Sequence, residues 1–295
     1  MKKFIILIPL FNDWKSVTKL IDGIDSQILN WDAETSIIIV NDASTEEKLG
    51  LTSNYKKIKS IKILNMKKNR GHQRCIASGL KYIYEKEDFD RVIVMDADGE
   101  DRPEELNEFF IKSKKYPNMT ITGNRYKRSE GFIFRFLYEI HKLLTLIFTG
   151  KLIKFGNFTC LPKEHVKKLF ERSDLWNSYS SSVVRSIKDR TFIQSMRGSR
   201  YVLPSKMNFA ALFFHSLTII SVFRNIVIFR SIIFLLFFLF LISQSFFILP
   251  ILSILFLILF VIVILKISMR ANMEEFSKSL ENIASIDSLN SSNSR

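Results

Sequence analysis

VIVMDADGEDRPEEL, residues 92–106, runs from an apolar stretch into alternating carboxylates, a glycine, a further acidic pair and then Arg102-Pro103 with acidic residues behind it. An apolar strand ending in this way presents its carboxylates at the strand's C-terminal edge, where open α/β sheets bind ligands. Asp96 and Asp98 lie two apart, so on a strand they would share a face. Two hard oxygen ligands with open positions suit Mg²⁺ or Mn²⁺ carrying a phosphate substrate. The competing reading is a solvated turn that caps the following helix, with Pro103 at its first position.

The flanking sequence supports a sheet edge. Phe4–Leu10 reads as a buried strand, and the helix after it has Val17, Leu20, Ile21 and Ile24 at helical spacing. Ser36–Val40 is a second strand, ending at Asn41-Asp42-Ala43-Ser44. Ser44 or Thr45 is placed to cap a helix with Glu46 and Glu47 in its first turn. Ile61–Leu64 is a third strand, after which Asn69-Arg70-Gly71-His72 opens a helix to about Tyr84. Arg91–Met95 is the fourth strand and Met119–Thr122 the fifth. Strand–helix alternation of this kind predicts a doubly wound, mostly parallel α/β sheet. The polar clusters at Asp13, Asp42, Asn69 and Asp96/Asp98 each follow a strand, which brings four loops to one rim. Neither Gly-x-Gly-x-x-Gly nor a Walker lysine loop is present, which disfavours a dinucleotide or P-loop site.

Further along, Ile226–Ile267 is almost unbroken hydrocarbon. About 20 apolar residues span a bilayer, so the run predicts two spans, near Ile226–Ser243 and Phe247–Lys266, joined by a tight hairpin. A buried soluble helix pair is the alternative. Arg224 and Arg230 precede the first span, Lys266 and Arg270 follow the second, and the hairpin is uncharged, which places both ends in the cytoplasm. The net charge of +14 is concentrated: no acidic residue lies between Arg190 and Met273, where Arg197, Arg200 and Lys206 sit. Beside a membrane anchor this pattern reads as contact with anionic lipid or lipid phosphate. No nucleic-acid motif accompanies the basic residues, so nucleic acid is not expected as a partner. Phe132–Phe148 carries Arg135, Glu139, His141 and Lys142 among its apolar residues and suits an amphipathic helix lying on a membrane, or else a core helix. Asn208–Phe223 looks like a second surface-lying helix. Cys75 and Cys160 lack metal spacing and are expected to be reduced packing residues. The start MKKFIILIPLF imitates a signal peptide, but Pro9 and Asn12-Asp13 follow with no small-residue cleavage site, so it is read as a first strand.

With these pieces in order, the sequence resembles glycosyltransferase family 2 enzymes of the GT-A fold. More narrowly it resembles the membrane-anchored polyprenyl-phosphate glycosyltransferases, which include dolichol-phosphate mannose synthase and bacterial undecaprenyl-phosphate sugar transferases. The resemblance rests on Ile8-Pro9-Leu10-Phe11-Asn12-Asp13, Val40-Asn41-Asp42-Ala43-Ser44, Asn69-Arg70-Gly71 with Ala77 and Gly79, Met95-Asp96-Ala97-Asp98 with Asp101-x-Pro103-Glu104, Gly123-Asn124-Arg125 and Ser199-Arg200-Tyr201. It implies an inverting transfer of a sugar from a UDP- or GDP-sugar to polyprenyl phosphate. The enzyme would be a multi-pass protein of the inner (plasma) membrane with its catalytic domain in the cytoplasm. The donor would be lined by Pro9, Phe11, Asp13, Asp42, Arg70, Gly71, Asp96 and Ala97, with Asp42 accepting from the base and Asp96 near the ribose. Mg²⁺ or Mn²⁺ would be held by Asp98, Glu100 and Asp96. The acceptor phosphate would be held by Arg125, Arg128, Arg135 and Arg200, and catalysis would rest on Asp96, Asp98, Arg125 and Asn157.

This chain departs from that pattern in three places. Asp13 replaces Glu, Asn41 replaces the first Asp of V-D-D-G-S, and Gly156-Asn157-Phe158 stands where many bacterial relatives have Gly-Asp-Phe. Asn157 is not a base, but an acceptor phosphate is already anionic at neutral pH. Another lipid or glycan acceptor, or an inactive binding paralogue, is the alternative. The expected organisation is a GT-A domain over 1–205 with an interface helix at 132–149, a juxtamembrane helix over 206–225, two transmembrane helices within 226–268 and a polar cytoplasmic tail over 269–295 that forms a short helix from about Ala271 and then ends in disorder. Self-association through the spans is possible, although they carry no Gly-x-x-x-Gly face.

Overall fold

The computed structural model describes residues 1–48, 51, 54–127, 132–202, 209–244 and 248–290, with the side chains of 127, 132–138, 209–210 and 290 left aside. The chain forms two compact units. The first comprises Met1–Ser129, Lys154–Ser205 and Met273–Arg295, and the second Glu130–Ile153 and Lys206–Asn272.

The first unit is built on an eight-stranded mixed sheet. Its strands are β1 (Lys2–Leu10), β2 (Ala33–Asn41), β3 (Ile58–Met66), β4 (Arg91–Val94), β5 (Thr120–Lys127), β6 (Thr159–Pro162), β7 (Arg190–Met196) and β8 (Ile283–Asn290), in the order β7-β5-β6-β4-β1-β2-β3-β8. Strands β1 to β4 are mutually parallel, as the alternation implies, and β5 and β7 are parallel to each other. Strand β6 runs antiparallel between β4 and β5, and β8 runs antiparallel along β3.

Side-chain alternation feeds two cores. From β1, Phe4, Ile6 and Ile8 point to one face, where they meet Val17, Leu20, Ile21 and Ile24 of α1 (Trp14–Gln27) and Phe109 of α3 (Leu106–Lys115). Ile5 and Leu7 point to the other, against Ile76, Leu80 and Ile83 of α2 (His72–Lys86). A sheet covered on both faces needs apolar residues at every position, which is why β1 reads as a continuous hydrocarbon run.

Two expectations are corrected here. Among the described residues no helix lies between β2 and β3. Instead the amides of Thr45 and Glu46 donate to Asn12 Oδ1, at 2.8 and 3.2 Å, so the β2 loop is held to the β1 loop and the acidic pair starts nothing. The tail is also not a disordered appendage over its described length. Helix α10 (Met273–Ser277) and β8 return to the sheet, where Phe276 is 2% exposed between Trp176 and Phe170. Glu275 accepts from Arg70 at 2.6 Å, Arg74 at 3.3 Å and the Trp176 indole at 2.9 Å. Phe276→Ala removes a fully buried ring, so it is expected to destabilise the protein by about 3 kcal/mol, read by denaturant unfolding in detergent. A change below about 1 kcal/mol would mean that the tail is not part of the core.

The second unit holds α4 (Phe132–Thr149), α7 (Phe209–Ser221), α8 (Arg224–Ser243) and α9 (Ile248–Ser268). Phe148, Ile220, Val227, Leu257, Phe260 and Ile264 form its core. Two helices are long and apolar enough to cross a membrane, with mean hydropathy 2.8 and 3.4. Only 11% and 22% of their apolar windows are buried within the protein, which leaves rings such as Phe229, Phe237, Phe240 and Phe256 outward. Arg230, expected ahead of the first span, lies inside α8, where its guanidinium donates to the carbonyls of Leu146 (3.1 Å) and Ile147 (2.6 Å). It adds to the Gly150 amide at the Leu146 carbonyl and gives the Ile147 carbonyl, at the end of α4, a donor. Helix α7 begins at Phe209, and residues 203–208, including Lys206, are outside the described set.

Candidate active site

The C-terminal ends of β1 to β4 carry the four polar loops. At β1 the chain turns through Asn12, at φ 50°, whose N–H donates to Ser44 Oγ at 2.9 Å. Pro9 is buried opposite Val40, Phe11 stands 45% exposed on the rim, and the Asp13 carbonyl accepts from Val17 to open α1. Asp42 is 2% exposed, and its two oxygens accept the backbone N–H groups of Arg70 and Gly71, both at 2.8 Å. Its carboxylate anchors the loop before α2. Gly71 sits at φ 91°, a left-handed conformation that glycine adopts without strain. The Arg70 side chain is held by Glu275.

Strand β4 stops at Val94, so Asp96 and Asp98 are not on a strand and do not share a face. The chain reverses at Gly99, φ 86°. The Asp96 amide donates to Asp101 Oδ2 at 2.9 Å and the Glu100 amide to Asp98 Oδ1 at 3.0 Å. The tight loop fans its four carboxylates toward four different partners. Asp96 Oδ1 lies 3.1 Å from His72 Nε2 and accepts from Asn157 Nδ2 at 3.0 Å. Asp98 pairs with Arg200 at 3.0 Å, Glu100 with Arg197, and Asp101 with Arg125 at 3.3 Å.

The segment after β7 is clasped to this loop through its backbone as well. The Gly198 amide donates to the Glu100 carbonyl and the Tyr201 amide to the Asp98 carbonyl, both at 2.9 Å. A Cβ on Gly99 would meet the Tyr201 ring at 2.7 Å, so glycine is required there for close approach as well as for conformation. Arg197 and Arg200 answer the loop's carboxylates, and Arg190 donates to the Val183 and Val184 carbonyls.

The charges set the protonation behaviour. Burial would raise the Asp96 carboxyl, but His72, Asn157 and Arg125 outweigh it and hold it well below the usual range. Burial, with Asp96 and Glu100 alongside, pushes Asp98 up to about 6. Burial and the charge of Asp96 push Asp101 up to about 7. Folded Asp98 therefore retains a proton that the unfolded chain releases near 3.8, and its contribution to stability is lost as pH rises from about 4 through 6. The melting temperature of the ligand-free protein is expected to fall over that window, and less steeply in Asp98→Asn. Equal slopes for the two proteins would contradict the shift.

Asp96, Asp98, Glu100, Arg125, Asn157 and Arg200 thus belong to one network of contacts around the loop. Arg128 and the side chain of Arg135 lie outside the described residues. Ala97 is a buried core residue, 7% exposed. The sequence reading gave no site role to His72, Asp101 or Arg197, although His72 and Asp101 each adjoin a residue it did select and Arg197 lies three before Arg200. The three residues expected to hold a metal are not gathered round one point, and among the described residues no three acidic, histidine or cysteine side chains are grouped to hold an ion unaided. The donor set still fits a hard cation that keeps waters and takes further oxygens from a substrate diphosphate, for which one or two carboxylates suffice. Arg197 and Arg200 supply the compensating positive charge at Glu100 and Asp98.

The sequence matches the family model described as Glycosyl transferase family 2 over residues 5–178, more than half of the chain. It is 26% identical over 132 residues to an uncharacterized glycosyltransferase of Synechocystis sp., an alignment covering 44% of this chain and 40% of that relative. The fold is similar to mannosyl-3-phosphoglycerate synthase from Rubrobacter xylanophilus, with TM-score 0.53, 12% identity, and 76% and 73% of the two chains covered. It is also similar to glucosyl-3-phosphoglycerate synthase from Mycobacterium tuberculosis in complex with Mn²⁺, UDP-glucose and phosphoglyceric acid. For that pair the TM-score is 0.54 and the identity 11%, with 77% and 80% covered. The rim of loops, its acidic turn and the match that spans both assign the chain to a family of sugar-transferring enzymes: it belongs to glycosyl transferase family 2.

Proposed function

We propose that this glycosyltransferase moves a sugar from a UDP- or GDP-sugar to a polyprenyl phosphate at the cytoplasmic face of the plasma membrane, with inversion at the anomeric carbon. One observation carries the reading. A carboxylate–arginine cluster of the kind a nucleotide-sugar enzyme needs shares its chain with two bilayer-length helices, after which the chain re-enters the sheet at β8. An odd number of crossings would leave β8 on the opposite side from β3, so helices that span a bilayer would have to do so as a pair.

The residues divide the work by charge. Mg²⁺ or Mn²⁺ at Asp98 and Glu100, with Asp96 close by, would neutralise the departing diphosphate. Arg125 and Arg200, with Arg128 and Arg135 as further candidates, bind the acceptor phosphate. That phosphate is already anionic, so the attacking oxygen needs no base and an amide at Asn157 is compatible with transfer. Positioning and charge stabilisation carry the rate.

Membranes containing the protein, incubated with labelled UDP- and GDP-sugars, Mg²⁺ and undecaprenyl phosphate, are expected to yield label that extracts into organic solvent and disappears with EDTA. Label confined to an aqueous glycan product would move the acceptor to another class. No product from any donor would favour a binding role.

A further inference from the structure

The carboxylates of the acidic turn are not the only ones that face arginines. The acid-free window from Arg190 to Met273 ends at Glu274-Glu275, in the chain that follows α9. Glu275 has both oxygens engaged. Its Oε1 accepts from Arg70 Nη1 at 2.6 Å and Arg74 Nη1 at 3.3 Å, and its Oε2 from the Trp176 indole at 2.9 Å. The Arg74 guanidinium also lies 5.0 Å from the centre of the Trp176 ring. Burial of the next residue, Phe276, and the pairing of β8 with β3 fix the backbone that carries Glu275. The same tail holds the loop of residues 67–71, which joins β3 to α2. The Lys67 amide donates to the Asn282 carbonyl at 2.7 Å, and Asn282 Nδ2 donates to the Lys68 carbonyl at 3.0 Å. Asp42 takes the Arg70 and Gly71 amides. The tail reaches the β2 loop too, where Lys48 pairs with Asp287 at 2.7 Å. Two of the four rim loops are thus tied to a segment that follows both apolar helices in the chain.

We propose that Glu275 is a positioning residue for the nucleotide donor, acting through Arg70 and the loop of residues 67–71. The inference rests on the donor reading above, in which Arg70 lines the donor, and gives the tail a part in that site. A guanidinium carries five N–H donors in a planar fork, so Arg70 can give one to Glu275 and still bind a ligand with others. Its side chain is 39% exposed, which leaves room for that ligand. An arginine on an irregular loop ordinarily loses rotamer freedom when it binds. Here the tail fixes the side chain beforehand, so that loss does not fall on the binding step. Glu275 also separates like charges. Arg70 and Arg74 share one carboxylate oxygen, and without it the two guanidiniums repel each other across the gap it filled. Removing the carboxylate leaves Arg70 in the protein but not in place.

The test is calorimetric titration of the full-length protein in detergent with UDP and with GDP, in the presence of Mg²⁺. Glu275→Ala and Arg70→Ala are each expected to weaken binding of the preferred diphosphate about tenfold. Glu275→Gln, which keeps an oxygen for Arg70, is expected to recover part of the loss. The double variant separates positioning from a general structural effect. If Glu275 acts through Arg70, then Glu275→Ala in an Arg70→Ala background changes affinity by less than about twofold. Losses that multiply to about a hundredfold overturn the coupling. The melting temperatures of the single variants are expected to stay within about 3 °C of the wild type, because Phe276 and β8 still seat the tail. A larger fall with unchanged affinity makes Glu275 structural and overturns the positioning role. Single variants that bind as the wild type does overturn it as well, with the donor reading intact. Wild-type protein that binds neither diphosphate overturns the donor reading itself.

Discussion

Asp98→Asn is expected to lower sugar transfer by about 10³-fold while leaving the protein at least as stable as the wild type. The amide keeps the shape of the side chain and can still accept from the Glu100 N–H. What it loses is charge. A carboxylate that holds a cation against a leaving diphosphate acts where charge develops, and removal of one such preorganised group costs on the order of 10² to 10³ in rate. The stability should move the other way or not at all, because burial, together with crowding by Asp96 and Glu100, pushes the Asp98 carboxyl up to about 6. Relieving that repulsion offsets the lost pairing with Arg200. Initial rates of label transfer, together with thermal unfolding, separate the two effects. Transfer within threefold of wild type would remove Asp98 from the catalytic machinery, and a large fall in melting temperature would make its role structural.

For Asp101→Ala the order is reversed, and stability is lost first. Asp101 is 1% exposed, pairs with Arg125 and accepts from the Asp96 amide. Truncation leaves a guanidinium, itself only 15% exposed, without this carboxylate. Breaking a buried pair from one side costs about 3–5 kcal/mol, since the remaining charge stays desolvated. Asp101→Asn, which preserves the acceptor for the Asp96 amide, should lose less. Chemical unfolding in detergent measures both. A loss below about 1 kcal/mol in the alanine variant would show that Arg125 finds another partner, and the loop geometry would then not depend on this pair.

Much of the first unit was legible because burial leaves a periodic trace. Continuous apolar runs at Phe4–Leu10 and Arg91–Met95 and the 3.6-residue spacing of Val17, Leu20, Ile21 and Ile24 report directly on which faces are covered. The rim followed from chain order alone. What stayed hidden depends on partners distant in sequence. Strand β6 is four residues long and ends at Pro162, too short to show a period. Strand β8, IASIDSLN, is polar because it is an edge strand, and nothing within it names β3 as its partner. The partners of the carboxylates were hidden in the same way. Composition places acids beside arginines, but it does not say that Asp42 is consumed by two amides or that Arg197 and Arg200 fold back onto the acidic turn.

The return of β8 also sets an order of events during synthesis. Ile61 pairs with Leu289, and every residue of α8 and α9 lies between them in the chain. While the ribosome is still making the two apolar helices, the open side of β3 has no neighbour, and its unpaired N–H and C=O groups are a template for any passing strand. The sheet closes only once both helices have been made and β8 emerges. A nascent chain stalled or cleaved before that point carries a nearly complete first unit with a sticky margin, so closure of the sheet waits on synthesis of both apolar helices.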